Sequence, residues 1–228
     1  MDIKIIASGS SGNAYLIGDG KTRLLLDAGI SFKRIQVGCG FQTSSIDACL
    51  VTHRHGDHAA AIPKLLQRGI TVYSNADVAE LHKGVRGLAP LQEHTIGTFR
   101  ILPFEAEHDV PCYGYQATSV ETGEKLVYIT DSAYVKYTFS GLTHIMIEAN
   151  YAQEIIIDNA KHERIPLYLA ERVIQTHMSI ETLLDLLQAN DMSKVRQIYL
   201  LHLSDGNSDA EAFKRQVQQE TGAEVYIA

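Results

Sequence analysis

No stretch of this 228-residue chain approaches the ~20 consecutive apolar residues that a bilayer span needs. The opening residues, Met1-Asp2-Ile3-Lys4-Ile5-Ile6, lack a basic segment leading into a long apolar core, so no signal peptide is expected. Cysteine is scarce. Cys39, Cys49 and Cys112 are odd in number and scattered, which fits neither a disulfide framework nor a zinc ribbon. They suit a reducing compartment, and a cytoplasmic location is expected. A basic excess is absent as well: 20 Lys and Arg stand against 27 Asp and Glu, a formal net charge of −7. This argues against a sequence-independent nucleic-acid coat, which needs a broad basic face. It does not argue against a nuclease, because a metal site attracts a phosphate locally. Repeats, low-complexity tracts and dividing linkers are also missing, so a single domain spanning 1–228 is expected.

What is present reads as a folded α/β or α+β chain. Apolar residues make up 45% and charged residues 21%. The first third alternates short apolar runs with glycine turns: Ile3 to Ala7, Ala14 to Ile17, Arg23 to Leu26 and Ala48 to Val51 are expected strands. A helix follows from Pro63 to Arg68, with Gly69 just beyond it. The middle offers strands at Ile70 to Tyr73, Thr98 to Phe104, Tyr113 to Ser119, Leu126 to Thr130 and Ile145 to Ile147, interrupted by a helix from about Ala76 to Lys83. The last third is helix-rich. Ile180, Leu183, Leu184 and Leu187 share one helix face behind a Ser179 N-cap. Ala210, Phe213 and Val217 share another, with Ser208-x-x-Glu211 as a capping box, and Gln197 to Leu201 is a strand between them.

The most informative segment is Thr52-His53-Arg54-His55-Gly56-Asp57-His58, where an apolar strand gives way to a loop. In extended backbone, residues two apart point the same way, so His53 and His55 can reach one metal. Gly56 lets the chain turn and aims Asp57 and His58 elsewhere, toward a second ion. Imidazole and carboxylate are zinc ligands that also suit manganese and iron.

His-x-His-x-Asp-His after a strand resembles the signature of the metallo-β-lactamase superfamily. Leu26-Asp27-Ala28-Gly29 is similar to its early Asp-x-Gly. One departure is Ala59-Ala60-Ala61, where many relatives have glycines. The resemblance covers essentially the whole chain and implies a four-layer αββα sandwich. It also implies two divalent ions, Zn2+ first, with Mn2+ or Fe2+ as alternatives. Carried over by position, His53, His55 and His108 would hold one ion. Asp57, His58 and His202 would hold the other, with Asp131 between them. His82, His94, His144 and His162 match nothing and are expected at the surface or in supporting positions.

Three further segments resemble the phosphodiesterase branch of that superfamily, which includes ribonuclease Z: Glu148-Ala149-Asn150, Thr176-His177-Met178-Ser179, and His202-Leu203-Ser204. The likeness implies that Glu148 orients His177 and that His177 protonates the leaving oxygen of a phosphodiester. The alternative is that His177 caps a loop and Glu148 makes a structural hydrogen bond. Ala7 to Asn13, Glu148-x-Asn150 and His202-Leu203-Ser204-x-x-Asn207 are most similar to the YycJ (WalJ) group of bacterial proteins, associated with exonuclease activity on DNA. Asp57 would both ligate and take a proton from the attacking, metal-activated water. Ser10, Ser11 and Asn13 are candidates to bind a substrate phosphate, with a plain inter-strand turn as the equal alternative. Arg54, Arg164 and Arg172 are weaker candidates for a nucleic-acid backbone.

The expected activity is therefore phosphodiester hydrolysis, with DNA as partner and substrate and no membrane role. A small-molecule cyclic phosphodiesterase is the alternative, with ester, thioester or lactam hydrolysis behind it. A metal-binding module without catalysis is opposed by the complete ligand set.

Overall fold

The computed structural model describes residues 1–228. The chain forms two compact units, residues 1–105 with 110–124, and residues 106–109 with 125–228. The first unit carries β1 (Asp2–Ala7), β2 (Ala14–Gly18), β3 (Arg23–Leu26), β4 (Ala48–Leu50), β5 (Thr71–Ser74) and β6 (Arg86–Gly87), which make a six-stranded sheet in that order. The sheet is antiparallel from β1 to β3 and parallel from β3 to β6. Its helices are α1 (Phe32–Gly38), α2 (Gly56–Ala59), α3 (Ile62–Gln67) and α4 (Ala76–Leu81). Leu16, Leu25, Cys49 and Val72 of the sheet pack with Ile35, Ile62, Leu65 and Val78 of the helices in one buried cluster. The unit also contributes β7 (His94–Ile96), β8 (Phe99–Ala106) and β9 (Cys112–Ser119).

The second unit is built on β10 (Lys125–Ile129), β11 (His144–Glu148), β12 (Gln197–Leu201) and β13 (Glu224–Ile227). Neighbours among these four are parallel. They lie side by side in the order β13-β12-β11-β10. Leu126 to Ile129, Ile145 to Ile147 and Ile198 to Leu201 are continuous apolar runs, as parallel strands covered on both faces require. The helices are α5 (Gln153–Lys161), α6 (Leu167–Thr176), α7 (Ile180–Gln188) and α8 (Ala210–Thr221).

Most expected elements are present within a residue or two. Three readings change. The α8 N-cap is Asp209, whose carboxylate accepts from Ala212 N at 2.9 Å. Ser208 instead donates to the Ser204 carbonyl, so no Ser208 capping box forms. Gly56 does not use a positive φ; it opens α2, and the helix itself makes the turn after His55. His144 is buried, with its Nδ1 2.8 Å from Thr143 Oγ1, so it is neither a surface group nor part of the histidine loop. Helices α1, α2, α5 and α6 and strands β6, β7 and β13 are additions. Helices α5 and α6 begin at Ala152 and Pro166 without a side-chain cap, which removes the usual start signal. Cys39, Cys49 and Cys112 are buried and form no disulfide, and no helix is long and apolar enough to cross a membrane.

Candidate metal and acid–base site

In the first unit the chain leaves β4, passes through Val51 and Thr52, and delivers His53 and His55 before α2 carries Asp57 and His58. Asp27, just past β3, organises this loop. It is fully buried, with φ of 56°, in the left-handed region that aspartate tolerates better than most residues. Oδ1 accepts from Thr52 N at 2.8 Å, and Oδ2 meets His58 Nδ1 at 2.8 Å. The Thr52 hydroxyl donates to the same carboxylate, 3.1 Å from each oxygen. That hydroxyl in turn lies 3.0 Å from His53 Nδ1. Gly29 explains the spacing of Asp-x-Gly: a Cβ there would sit 1.5 Å from the Asp57 carbonyl oxygen. Two backbone bonds hold the same contact, Ala28 N to His58 O and Asn13 N to Asp57 O, each 2.8 Å. Ala59 and Ala61 are buried here, and Ala61 N bonds Ala28 O, so the small alanine side chains fit the close packing.

His53 Nε2 and His55 Nδ1 lie 3.1 Å apart. Nitrogens sharing one tetrahedral zinc at ~2.05 Å sit roughly 3.3 Å apart, so the pair has the spacing of ligands to one ion. His58 Nε2 lies 3.6 Å from Asp57 Oδ2 and accepts from the Asn13 amide at 3.0 Å. Asn13 is itself buried and committed, its amide also donating to Gly9 O and its oxygen accepting from Gly9 N and Tyr15 OH. The structure thus uses Asn13 to brace the turn and His58, while Ser10 and Ser11 are exposed.

In the second unit the candidates sit at strand and helix ends. Asp131 follows β10, Glu148 ends β11, His202 follows β12, and His177 caps α6. Asp131 and His202 have positive φ, 48° and 54°. Non-glycine residues in this region cluster at functional sites, because the surroundings must hold them there. Asn150 does so for His202, donating to its carbonyl at 2.8 Å.

Glu148 is the hub. Oε1 meets His177 Nδ1 at 2.7 Å and His202 Nδ1 at 2.9 Å. Oε2 accepts from Ser132 N and Met178 N, both at 3.1 Å. Burial pushes its carboxyl pKa up, but the charge and hydrogen bond of His177 and the bond from His202 outweigh it, leaving the net value below normal. Burial likewise disfavours the His202 cation, yet Asp131 and Glu148 raise its pKa overall. His108 goes the other way: burial dominates and lowers it. His108 Nδ1 bonds the Thr176 carbonyl at 3.0 Å, and its Nε2 lies 3.2 Å from Asp109 Oδ1. Asp131, Glu148, His177 and His202 offer ligand atoms within 4.8 Å of one another.

The histidines of both units share a pattern. His53, His58, His108 and His202 each have Nδ1 held by a protein oxygen, from Thr52, Asp27, Thr176 and Glu148. That fixes the Nδ1–H tautomer and presents Nε2 as the donor nitrogen, the arrangement expected of metal-ligating histidine. The holders Asp27, Thr52, Thr176 and Ser132 were not singled out for these roles in the sequence. Asp27, Thr52 and Thr176 lie in segments the sequence singled out, but the bonds by which they and Ser132 hold the site are visible only once the chain is folded.

The family described as a β-lactamase superfamily domain matches residues 22–203, and the chain belongs to it. It is a hydrolase of the metallo-β-lactamase superfamily with that αββα fold, a fold that implies divalent metal ions. The chain is similar to the exodeoxyribonuclease WalJ of Streptococcus pneumoniae, 28% identical over 91% of this chain and 83% of that protein. It is similar to the exodeoxyribonuclease YycJ of Bacillus anthracis, 25% identical over 96% of this chain and 88% of that one. Among solved structures, the metallo-β-lactamase fold protein YhfI of Bacillus subtilis superposes with a TM-score of 0.76 at 20% identity, covering 99% of this chain and 95% of that chain.

Proposed function

We propose that the protein is a metal-dependent DNA exonuclease with a dinuclear centre. Its two units would act as one catalytic domain in the cytoplasm. The observation that carries the reading is the Glu148 carboxylate bonded to His177, a leaving-group acid with its orienting partner. The similarity to exodeoxyribonucleases in two bacteria supports it.

His53, His55 and His108 would hold one ion and Asp57, His58 and His202 the other, with Asp131 as the ligand they would share. These are donor sets suited to divalent cations, zinc first and manganese or iron next. His58 Nε2, which accepts from the Asn13 amide, would be its donor to the ion. The ions supply Lewis acidity, activating water and neutralising charge on the phosphate. The rest falls to the chain. Asp57 accepts the proton of the attacking water. Glu148 holds His177 in one orientation and favours its cationic form, so that the proton on Nε2 is available to the departing oxygen. Ser10 and Ser11, exposed in the turn after β1, bind a non-reacting phosphate.

The test is an end-labelled DNA duplex incubated with protein stripped of metal and reloaded with zinc or manganese, with His177→Ala beside it. Metal-dependent shortening from one end, lost in the variant, is expected. Intact DNA with every ion, alongside rapid turnover of a small cyclic phosphodiester, overturns the nuclease reading. Shortening of RNA but not DNA changes the substrate.

A further inference from the structure

The segment that follows Asp131 carries an aromatic side chain in an unusual position. Val135 and Phe139 of this segment are buried, whereas Tyr134 is 59% exposed. Its backbone is nevertheless pinned. The Tyr134 carbonyl accepts from Ser132 Oγ at 2.8 Å and from Glu107 N at 3.3 Å, and Ala133 N donates to Glu107 O at 3.0 Å. Ser132 Oγ also accepts from Glu107 N, and Ser132 N is one of the donors to Glu148. Tyr134 is therefore tied through the backbone to the residue beside His108 and to the loop that orients Glu148. An exposed ring thus stands three residues after Asp131, on backbone bonded to Glu107, the residue before His108. Folding gains nothing from leaving that ring exposed.

Two cations lie nearby in the same unit, among the acidic Glu107 and Asp109. Lys136, two residues on, is exposed and sits over the Tyr137 ring, 5.3 Å from its centroid. Arg172 of α6 is held 3.6 Å from Asp109, the residue after His108. An aromatic face flanked by cations matches a nucleotide unit, whose base has a π-face and whose backbone is anionic.

We propose that Tyr134 is the stacking platform for the nucleobase adjacent to the scissile phosphate. It makes the enzyme select strands that carry bases over bare phosphodiesters. This rests on the nuclease reading above and deepens it. Tyr134 makes its tertiary bonds through its carbonyl, so Tyr134→Ala keeps them and is expected to fold normally.

The experiment measures anisotropy of a fluorescent single-stranded oligodeoxynucleotide on metal-loaded His177→Ala protein, with Tyr134→Ala and Tyr134→Phe added in turn. Tyr134→Ala is expected to weaken binding about 5- to 100-fold, the range of stacking losses on alanine substitution. Tyr134→Phe is expected to restore most of it. An abasic residue at the terminal position is expected to erase the difference between the Tyr134→Ala variant and the protein that keeps its tyrosine. Equal binding by all variants, no binding at all, or a Tyr134→Ala loss that persists with the abasic strand overturns the proposal. DNA cleavage by the protein without the His177 change is scored separately. Tyr134-dependent binding without cleavage removes the nuclease reading and leaves the base platform standing.

Discussion

Asp27 and Glu148 are both fully buried carboxylates that position histidines, one in each unit, and they do it differently. Asp27 is a local brace. It gathers Thr52 N, the Thr52 hydroxyl and His58 Nδ1, from the loop after β4 and the short helix α2 that follows it. Glu148 is a hub. It gathers His177 and His202 on one oxygen and the backbone of the loops after β10 and α6 on the other. A brace sets the geometry of ligands. On the proposed reading the hub sets a ligand and an acid together, so its loss would not be confined to metal binding.

The sharpest way to break the comparison is Glu148→Gln. The amide oxygen can still accept from Ser132 N and Met178 N, but the charge shared by two imidazoles is gone. The expected loss in kcat on an end-labelled duplex is about 100-fold or more, the scale of a disabled general acid. Asp27→Asn should cost less. It perturbs the partner of a ligand, and such changes typically lower metal affinity ~10- to 100-fold. Isothermal titration with zinc or manganese measures it directly. Gly29→Ala tests the packing under the brace. Its Cβ would overlap the Asp57 carbonyl, and overpacking costs about 1–3 kcal/mol, with each kcal/mol worth ~2–4 °C in Tm. Thermal unfolding should show a loss of several degrees. Gly222→Ala, whose Cβ meets nothing within 4 Å, is strained only through its φ of 69° and should lose less.

The smallest effect lies away from both carboxylates. Burial raises the Asp19 pKa, but bonds from Thr22 N, Thr98, Ser119 and Lys21 N outweigh it and bring the carboxyl down to about 2. Because the folded value is depressed, this stabilisation is present above the unfolded carboxyl value of 3.8 and is lost as pH falls toward 2. Acid unfolding followed by circular dichroism should therefore be shallower between those values in Asp19→Asn. The group is partly solvated, so the difference should be modest.

The candidate donors are legible in the sequence because they are chemically distinctive and sit in fixed order after apolar strands. His53 through His58 stand out by type and spacing, whereas His108, Asp131, Glu148, His177 and His202 are picked out by their match to the superfamily's order. Their holders cannot be. Thr176 acts through its carbonyl and Ser132 through its backbone N–H, groups that almost any residue supplies. Asn13 reads as a phosphate contact because its place in a glycine turn is visible, whereas its bonds to His58 and Gly9 arise only on folding. Helix α5 is hidden by its three consecutive isoleucines, Ile155 to Ile157, which favour strand, and by Ala152 at its N-cap. Gly56 reads as a hinge because glycine permits turns; α2 supplies the turn without that freedom.

The most direct test of the brace and the hub is a metal titration of nuclease rate, run side by side on Asp27→Asn and Glu148→Gln. With rising zinc or manganese, Asp27→Asn should climb back toward the unsubstituted rate, because only ligand geometry is weakened. Glu148→Gln should stay low at saturating metal, because its acid is disabled as well. Full recovery of Glu148→Gln at high metal would contradict the account, since it would reduce Glu148 to a second brace and leave His177 without its orienting partner.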